Sequence, residues 1–210
     1  MNRAELKAKA KAQIKGKIGI LFLITLIIGL ISGAASYVLS LIPVVGSLAS
    51  VILVAPAFGL STARIYLSVI AGNTPEAKDS FCGFDDFWSA VQLNFLVGLY
   101  TFLWSLLFYI PGIIKGISYS MSMYILAENK GKSAKECIEE SKAMTEGHKM
   151  ELFVLALSFI GWVLLGAITF GIAYIWVLPY MQATLANVYQ SLKPVAYVEE
   201  APVAETFVKE

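Results

Sequence analysis

The chain has 210 residues, of which 58% are hydrophobic and 15% charged, with 16 Lys plus Arg against 15 Asp plus Glu. A soluble domain is roughly half apolar and about a quarter charged, and a disordered chain is poorer still in apolar residues, so both classes are excluded. The near-balanced charge carries no footprint for nucleic acid, which is not expected as a partner.

Charge falls in islands. No Asp, Glu, Lys or Arg occurs over 18–63, 87–114 or 152–192. About 20 apolar residues cross a bilayer core, so the first and last runs suit two spans each. The fold class expected is all-α: a polytopic integral membrane protein with about six transmembrane helices arranged as three hairpins. Residues 1–17 form a basic amphipathic cytoplasmic arm, 18–192 the six-span membrane domain, and 193–210 a flexible cytoplasmic tail. Cytoplasmic connections fall at about 72–89 and 128–151.

In the arm, Arg3, Lys7, Lys9, Lys11, Lys15 and Lys17 surround an apolar stripe of Leu6, Ala10, Ile14 and Ile18. That pattern suits a helix on an anionic leaflet, or simply a stretch that sets topology. The first two spans are predicted at about 18–42 and 47–71, divided by Pro43-Val44-Val45-Gly46. A secretory leader is opposed by the apolar sequence that runs straight on into the second span. Gly29 and Gly33, with Ser36 and Ser40 continuing their face, let helices approach closely. Packing within the molecule is the first use of that face, and a homo-oligomer the second. In the connection that follows, Asp85 or Asp86 can cap the next helix, with Phe84, Phe87 and Trp88 at headgroup level.

The middle spans are predicted at about 90–110 and 112–127, broken at Pro111-Gly112. Lys115 is the one charge drawn inside a span; it snorkels to the outer interface or meets an anion or headgroup. Ser118, Tyr119, Ser120 and Ser122 enrich the fourth span in hydroxyls. Between Ser133 and Lys149 an amphipathic helix is predicted, with a capping box of Ser133 and Glu136 and a stripe of Cys137, Ile138, Ser141 and Met144 or Thr145. The last spans are predicted at about 152–169 and 172–191, turning near Phe170 between Gly166 and Gly171. Gln182, Thr184 and Asn187 make the sixth span polar. After Pro194 the sequence is rich in Ala, Val and Glu.

Under three hairpins every Lys and Arg except Lys115 lies on one side, which the positive-inside rule assigns to the cytoplasm together with both termini. A repeat is also visible. Lys11-Ala12-Gln13-Ile14-Lys15-Gly16 aligns with Lys142-Ala143-Met144-Thr145-Glu146-Gly147 at an offset of 131 residues, and Pro56 to Tyr66 matches Pro179 to Tyr189 at an offset of 123. Repeats entering from the same side are related by an axis along the membrane normal.

Catalytic signatures are missing. Cys82 and Cys137 form no CxxC pair, and His148 is the single histidine. Gly131-Lys132-Ser133 resembles the end of a phosphate loop, but Leu126 stands where its first glycine belongs. The spans lack the Asp, Glu and His chains of ion coupling. No catalytic residue, cofactor or metal ligand is therefore assigned. Lys115, Ser118, Ser122, Gln182 and Asn187 remain candidates for lining a polar cavity or for bonding between helices, and Gly29 and Gly33 for helix packing.

Several motifs occurring in order carry a resemblance. Trp104-Ser105-Leu106-Leu107-Phe108-Tyr109-Ile110-Pro111-Gly112-Ile113-Ile114-Lys115, Tyr124-Ile125-Leu126-Ala127-Glu128-Asn129, Gly147-His148-Lys149 and Pro179-Tyr180-Met181-Gln182-Ala183-Thr184 resemble a bacterial multi-pass membrane family known as domain of unknown function 975. A more distant similarity is to the membrane domain attached to some glycerophosphodiester phosphodiesterases. The resemblance implies a bacterial plasma-membrane protein and supplies no activity. The expectation is a non-enzymatic accessory or scaffold protein in the lipid bilayer, binding a membrane or cytoplasmic protein partner or lipids. The rival is a transporter or export component for a small or amphiphilic solute. A cavity lined by Ser118, Ser122, Gln182 and Asn187 would favour the rival, and a solid core the accessory role.

Overall fold

A computed structural model describes residues 3–41, 50–107 and 109–193 of the chain, and every regular element among them is helical. The arm forms α1 (Arg3–Ile14), which ends at Gly16 with φ +84°. The apolar helix α2 (Ile18–Ser40) follows. The expected turn at Pro43–Gly46 lies outside the described residues, as does the tail beyond Lys193. A π-helical turn (Ser50–Val54) leads into α3 (Ala55–Ile70), whose Pro56 stands in the first turn, where no backbone N–H is needed. A 3-10 segment (Ala77–Phe84) is opened by a reciprocal capping box between Glu76 and Asp79. Then come α4 (Phe87–Leu107), α5 (Tyr109–Tyr119), α6 (Ser122–Glu128), α7 (Ala134–Thr145), α8 (Lys149–Ile168) and α9 (Tyr174–Leu192).

Among the described residues four stretches are long and apolar enough to cross a membrane: Ile18–Leu39, Ile52–Ile70, Phe87–Leu106 and Lys149–Ile168. The middle hairpin departs from expectation. The break predicted at Pro111-Gly112 falls earlier, because Pro111 sits in the first turn of α5, where a missing N–H costs nothing. Gly112 marks a close helix crossing instead: a β-carbon there would fall on the Ser105 side chain and lie 2.9 Å from its Cα. The fourth span, expected as one helix over 112–127, is two short helices parted at Ser120-Met121. The turn expected near Phe170 is present between α8 and α9, with Phe170 at φ +50° and Gly171 at φ +90°, and of these two helices α8 is among the stretches long and apolar enough to cross. Gly171 N–H closes that turn on the Gly166 carbonyl at 2.8 Å.

The repeat extends to backbone geometry. Shifted by 131 residues, α1 falls on α7 with the same first and last positions, and Gly16 on Gly147, at φ +84° and +80°. The residues before the following helices, Lys17 and His148, share φ near −110° and ψ near 0°. Buried Leu21 and Ile24 fall on buried Leu152 and Leu155, and buried Pro56, Ala63 and Tyr66 fall on buried Pro179, Ala186 and Tyr189. The middle hairpin joins the pattern at Asp86. Its carbonyl accepts from Ala90 N–H as those of Lys17 and His148 accept from Leu21 and Leu152, all at 3.0 Å. The following Ala90 and Leu93 are buried in the same register.

The core lies at the charged end of the bundle. It joins Ala10 and Ile14 of α1, the first turns of α2, α4 and α8, most of α3, all but the ends of α6, the inner face of α7 and the last turns of α9. Toward the other end α2, α4 and α8 splay, leaving Leu30, Val38, Phe102, Leu106, Leu164 and Ile168 exposed. Only 11% of the α2 span is buried inside the molecule, against 67% of the α3 span, which makes α3 the central helix.

Candidate functional site

The candidate polar residues take up separate structural duties. Ser118 is buried at the end of α5, and its hydroxyl donates to the Ile114 carbonyl at 2.9 Å. Ser122 opens α6 and donates to the Tyr119 carbonyl at 2.6 Å. The break between them exposes backbone groups that a buried site must satisfy. They are met from α7: Ser141 Oγ donates to the Ser118 carbonyl at 2.7 Å and accepts from Met121 N–H at 3.2 Å. Thr145 Oγ1 stands beside them, donating to the Ser141 carbonyl at 2.8 Å. The amphipathic stripe expected over 133–149 is thus correct, but one of its members, Ser141, serves as the cap for a break 20 residues away. The Ser133–Glu136 capping box is also present.

Asn187 on α9 is 3% exposed. It donates to its own helix at the Ala183 carbonyl (2.8 Å) and to Gln13 Oε1 of α1 (2.6 Å). Gln13 in turn donates to the Ile70 carbonyl at the end of α3 (3.1 Å). The stripe of α1 therefore turns toward the bundle. Lys7 donates to Ser158 at 2.6 Å and sits 4.7 Å from the Phe159 ring centre, and partial burial, with the nearby Arg3 charge, holds its ammonium below the ordinary lysine value. Lys17 donates to the Gly72 and Asn73 carbonyls at 2.8 and 2.6 Å, closing the C-terminal end of α3, where a cation is favoured. Gln182 accepts from the Tyr124 hydroxyl at 3.4 Å. Lys115 lies over the Trp104 ring at 4.8 Å, across the α4–α5 hairpin.

Two charged junctions were not singled out as sites in the sequence. Buried Arg64 on α3 donates to the Cys82 carbonyl and to the Asp86 carboxylate, with Asp85 4.0 Å away. It fastens the 3-10 segment and the start of α4 to the central helix. At the other side Glu128, which ends α6, accepts from Tyr189 (2.8 Å), Gln190 (3.2 Å) and Lys193. Tyr189 stacks on Tyr124 with ring centres 5.6 Å apart. A lone arginine at the edge of an apolar run, and a glutamate 61 residues from its tyrosine, carry no local signal for such pairs.

Burial raises both thiols, Cys82 and Cys137, to about 11, so they are protonated at neutral pH. Among the described residues no group of three or more His, Cys, Asp or Glu is placed to hold a metal ion. Gly29 and Gly33 have no heavy atom of another described element within 4 Å of a β-carbon position. Their face does not serve as a helix contact among the described residues. Beside it, a cleft of about 340 Å³ opens between α2 and α3. Ile28, Ser32 and Ser36 line one wall, and Val54, Ala55, Phe58, Gly59 and Thr62 the other. None of these carries a charge, and Thr62 already donates to the Phe58 carbonyl at 2.8 Å. None of the five polar candidates borders this cleft.

The model of the family described as "Protein of unknown function (DUF975)" matches residues 1–118 and 106–196, and the chain belongs to that family. A likeness to the membrane domain of glycerophosphodiester phosphodiesterases is not shown. No curated protein and no solved structure matches the chain.

Proposed function

We propose that this member of the family is a non-enzymatic accessory or scaffold protein of the bacterial plasma membrane, holding a membrane partner or lipids. The observation that carries this reading is the use made of the polar residues in the core. A solute pathway through the bundle needs hydroxyl and amide groups free to face a cavity. Ser118, Ser122 and Asn187 are instead at most 3% exposed and hydrogen-bonded to helix carbonyls or to α1. Buried polar groups that are satisfied in this way rigidify a bundle rather than exchange partners with a solute. The lysine-rich arm and connections support cytoplasmic placement of both termini, through the positive-inside rule. They also offer a charged surface to a protein partner.

Native mass spectrometry after gentle extraction from the membrane tests the reading. Recovery with one protein at fixed stoichiometry, or with a retained lipid, is the expected result. Carriage of a solute mass that is lost in Asn187→Ala or Gln182→Ala, with the fold intact, would overturn it in favour of transport.

A further inference from the structure

We propose that the cleft between α2 and α3 is a binding site for one acyl chain of a membrane lipid. The inference deepens the lipid-holding side of the function proposed above and rests on it. Both walls belong to helices long and apolar enough to cross a membrane, and the α2 wall is continuous with its exposed apolar face. What reaches the opening from outside is therefore hydrocarbon. The lining runs in steps of four residues along α2, from Ile28 to Ser36, which is about 12 Å of helix. A groove of that shape, without charge, suits a chain better than a compact polar solute.

The internal repeat sets the lining of this cleft beside the matching positions of the other hairpins. In the last hairpin, Val163 stands at the position of Ser32, Leu178 at that of Ala55 and Gln182 at that of Gly59. Larger side chains occupy the same places there. In the middle hairpin the counterparts of Ser32 and Ser36 are Thr101 and Ser105, small again. There α5 covers them, with Gly116 and Gly112 set against them. The face of Ser32 and Ser36 thus receives a close-packed helix in one hairpin, carries Val163 and Ala167 in another, and is uncovered by any described residue in the first. Empty space between helices forfeits dispersion contacts, and an acyl chain entering from the bilayer restores them.

The test uses the full chain in bilayers of phosphatidylethanolamine and phosphatidylglycerol carrying a trace of phospholipid with a diazirine on its acyl chain. After photolysis, labelled positions are mapped by mass spectrometry. Labelling is expected to concentrate on 28–36 and 54–62, above the level along the exposed face of α8. Ser32→Val and Ala55→Leu, made singly and together, copy the last hairpin. The pair should bring labelling in the cleft down to the level along the exposed face of α8, and leave α8 unchanged. The wild-type map stands on its own if a variant fails to fold. Uniform labelling of all exposed helices, or labelling unchanged in the filled variants, would overturn the proposal. Recovery of a fixed protein partner is read separately, so failure here would leave the accessory role standing.

Discussion

A β-carbon added at Gly83 would fall on the Ala57 carbonyl oxygen and within 2.7 Å of both Ser61 N and Ser61 Oγ. The Gly83 N–H also donates to Ser61 Oγ at 2.9 Å. Both neighbours are parts of the central helix and cannot yield as a flexible side chain would. Gly83→Ala is expected to cost about 3 kcal/mol of stability, read as a lowered melting temperature in detergent, whereas Gly98→Ala, with open space around it, should not. The two cysteines give a chemical readout of the same packing. Thiols raised from 9.0 to about 11 hold about 100-fold less thiolate at pH 8, so maleimide labelling of folded protein should be slower than of unfolded protein by that order. The sign follows from linkage: the stability gained by keeping both thiols neutral is complete below about pH 9 and is lost as pH rises toward about 11. Cys82 and Cys137 were legible as reduced, unpaired residues; the partial burial of Cys82 and the full burial of Cys137 were not, because both depend on packing against other elements.

At the scale of elements, the most informative feature is the break between α5 and α6. Pro and Gly mark breaks strongly in sequence, and the expected break was placed on Pro111-Gly112 for that reason. The structure places that break just ahead of Pro111, which becomes a first-turn residue of α5, and adds a second break at Ser120-Met121, where Ser141 supplies both an acceptor and a donor. Ser141→Ala leaves a buried N–H and a buried carbonyl short of a partner, and is expected to destabilise by about 2 kcal/mol. Ser141→Thr, which keeps the hydroxyl, should recover part of that loss in the same denaturation experiment. The start of α7 was readable because its capping box is local. Glu136 takes part in it through the Ser133 N–H and hydroxyl, and these bonds hold its carboxyl below the ordinary value. That stabilisation is present above the usual carboxylate value and fades as pH falls through the lowered one. The difference in melting temperature between wild type and Glu136→Gln should accordingly close on acidification below about pH 4.

At the scale of the molecule, packing is concentrated at the charged end. Lipid is as apolar as leucine, so no hydrophobic force draws spans together within the bilayer. Close packing and satisfied polar contacts must do so, and these are gathered where α1, α3, α6, α7 and α9 meet: Arg64 with Asp86, Glu128 with Tyr189, Gln13 with Asn187. The splayed ends of α2, α4 and α8 present apolar surface that a bilayer would cover. Topology is tested with single cysteines in a chain in which Cys82 and Cys137 are replaced by Ala. An impermeant maleimide should reach Lys78→Cys and Lys130→Cys from one side and Phe170→Cys, in a turn where that residue is 98% exposed, from the other. Labelling of all three from one side would show that the α8–α9 hairpin does not cross.

By itself the sequence determined the helical class, the apolar character of the long charge-free runs, the segregation of lysine and arginine, and the capping box of α7, and it offered an internal similarity at offsets of 131 and 123 residues. Each of these is set by composition or by contacts within a few positions along the chain. The tertiary structure decided where the helix expected over 112–127 breaks, which buried charges pair, which way the stripe of the arm faces and where the small residues leave a cleft. Each of those depends on groups 20 to 174 residues apart, the separations of Ser141 from Met121 and Asn187 from Gln13, and only packing brings such groups together.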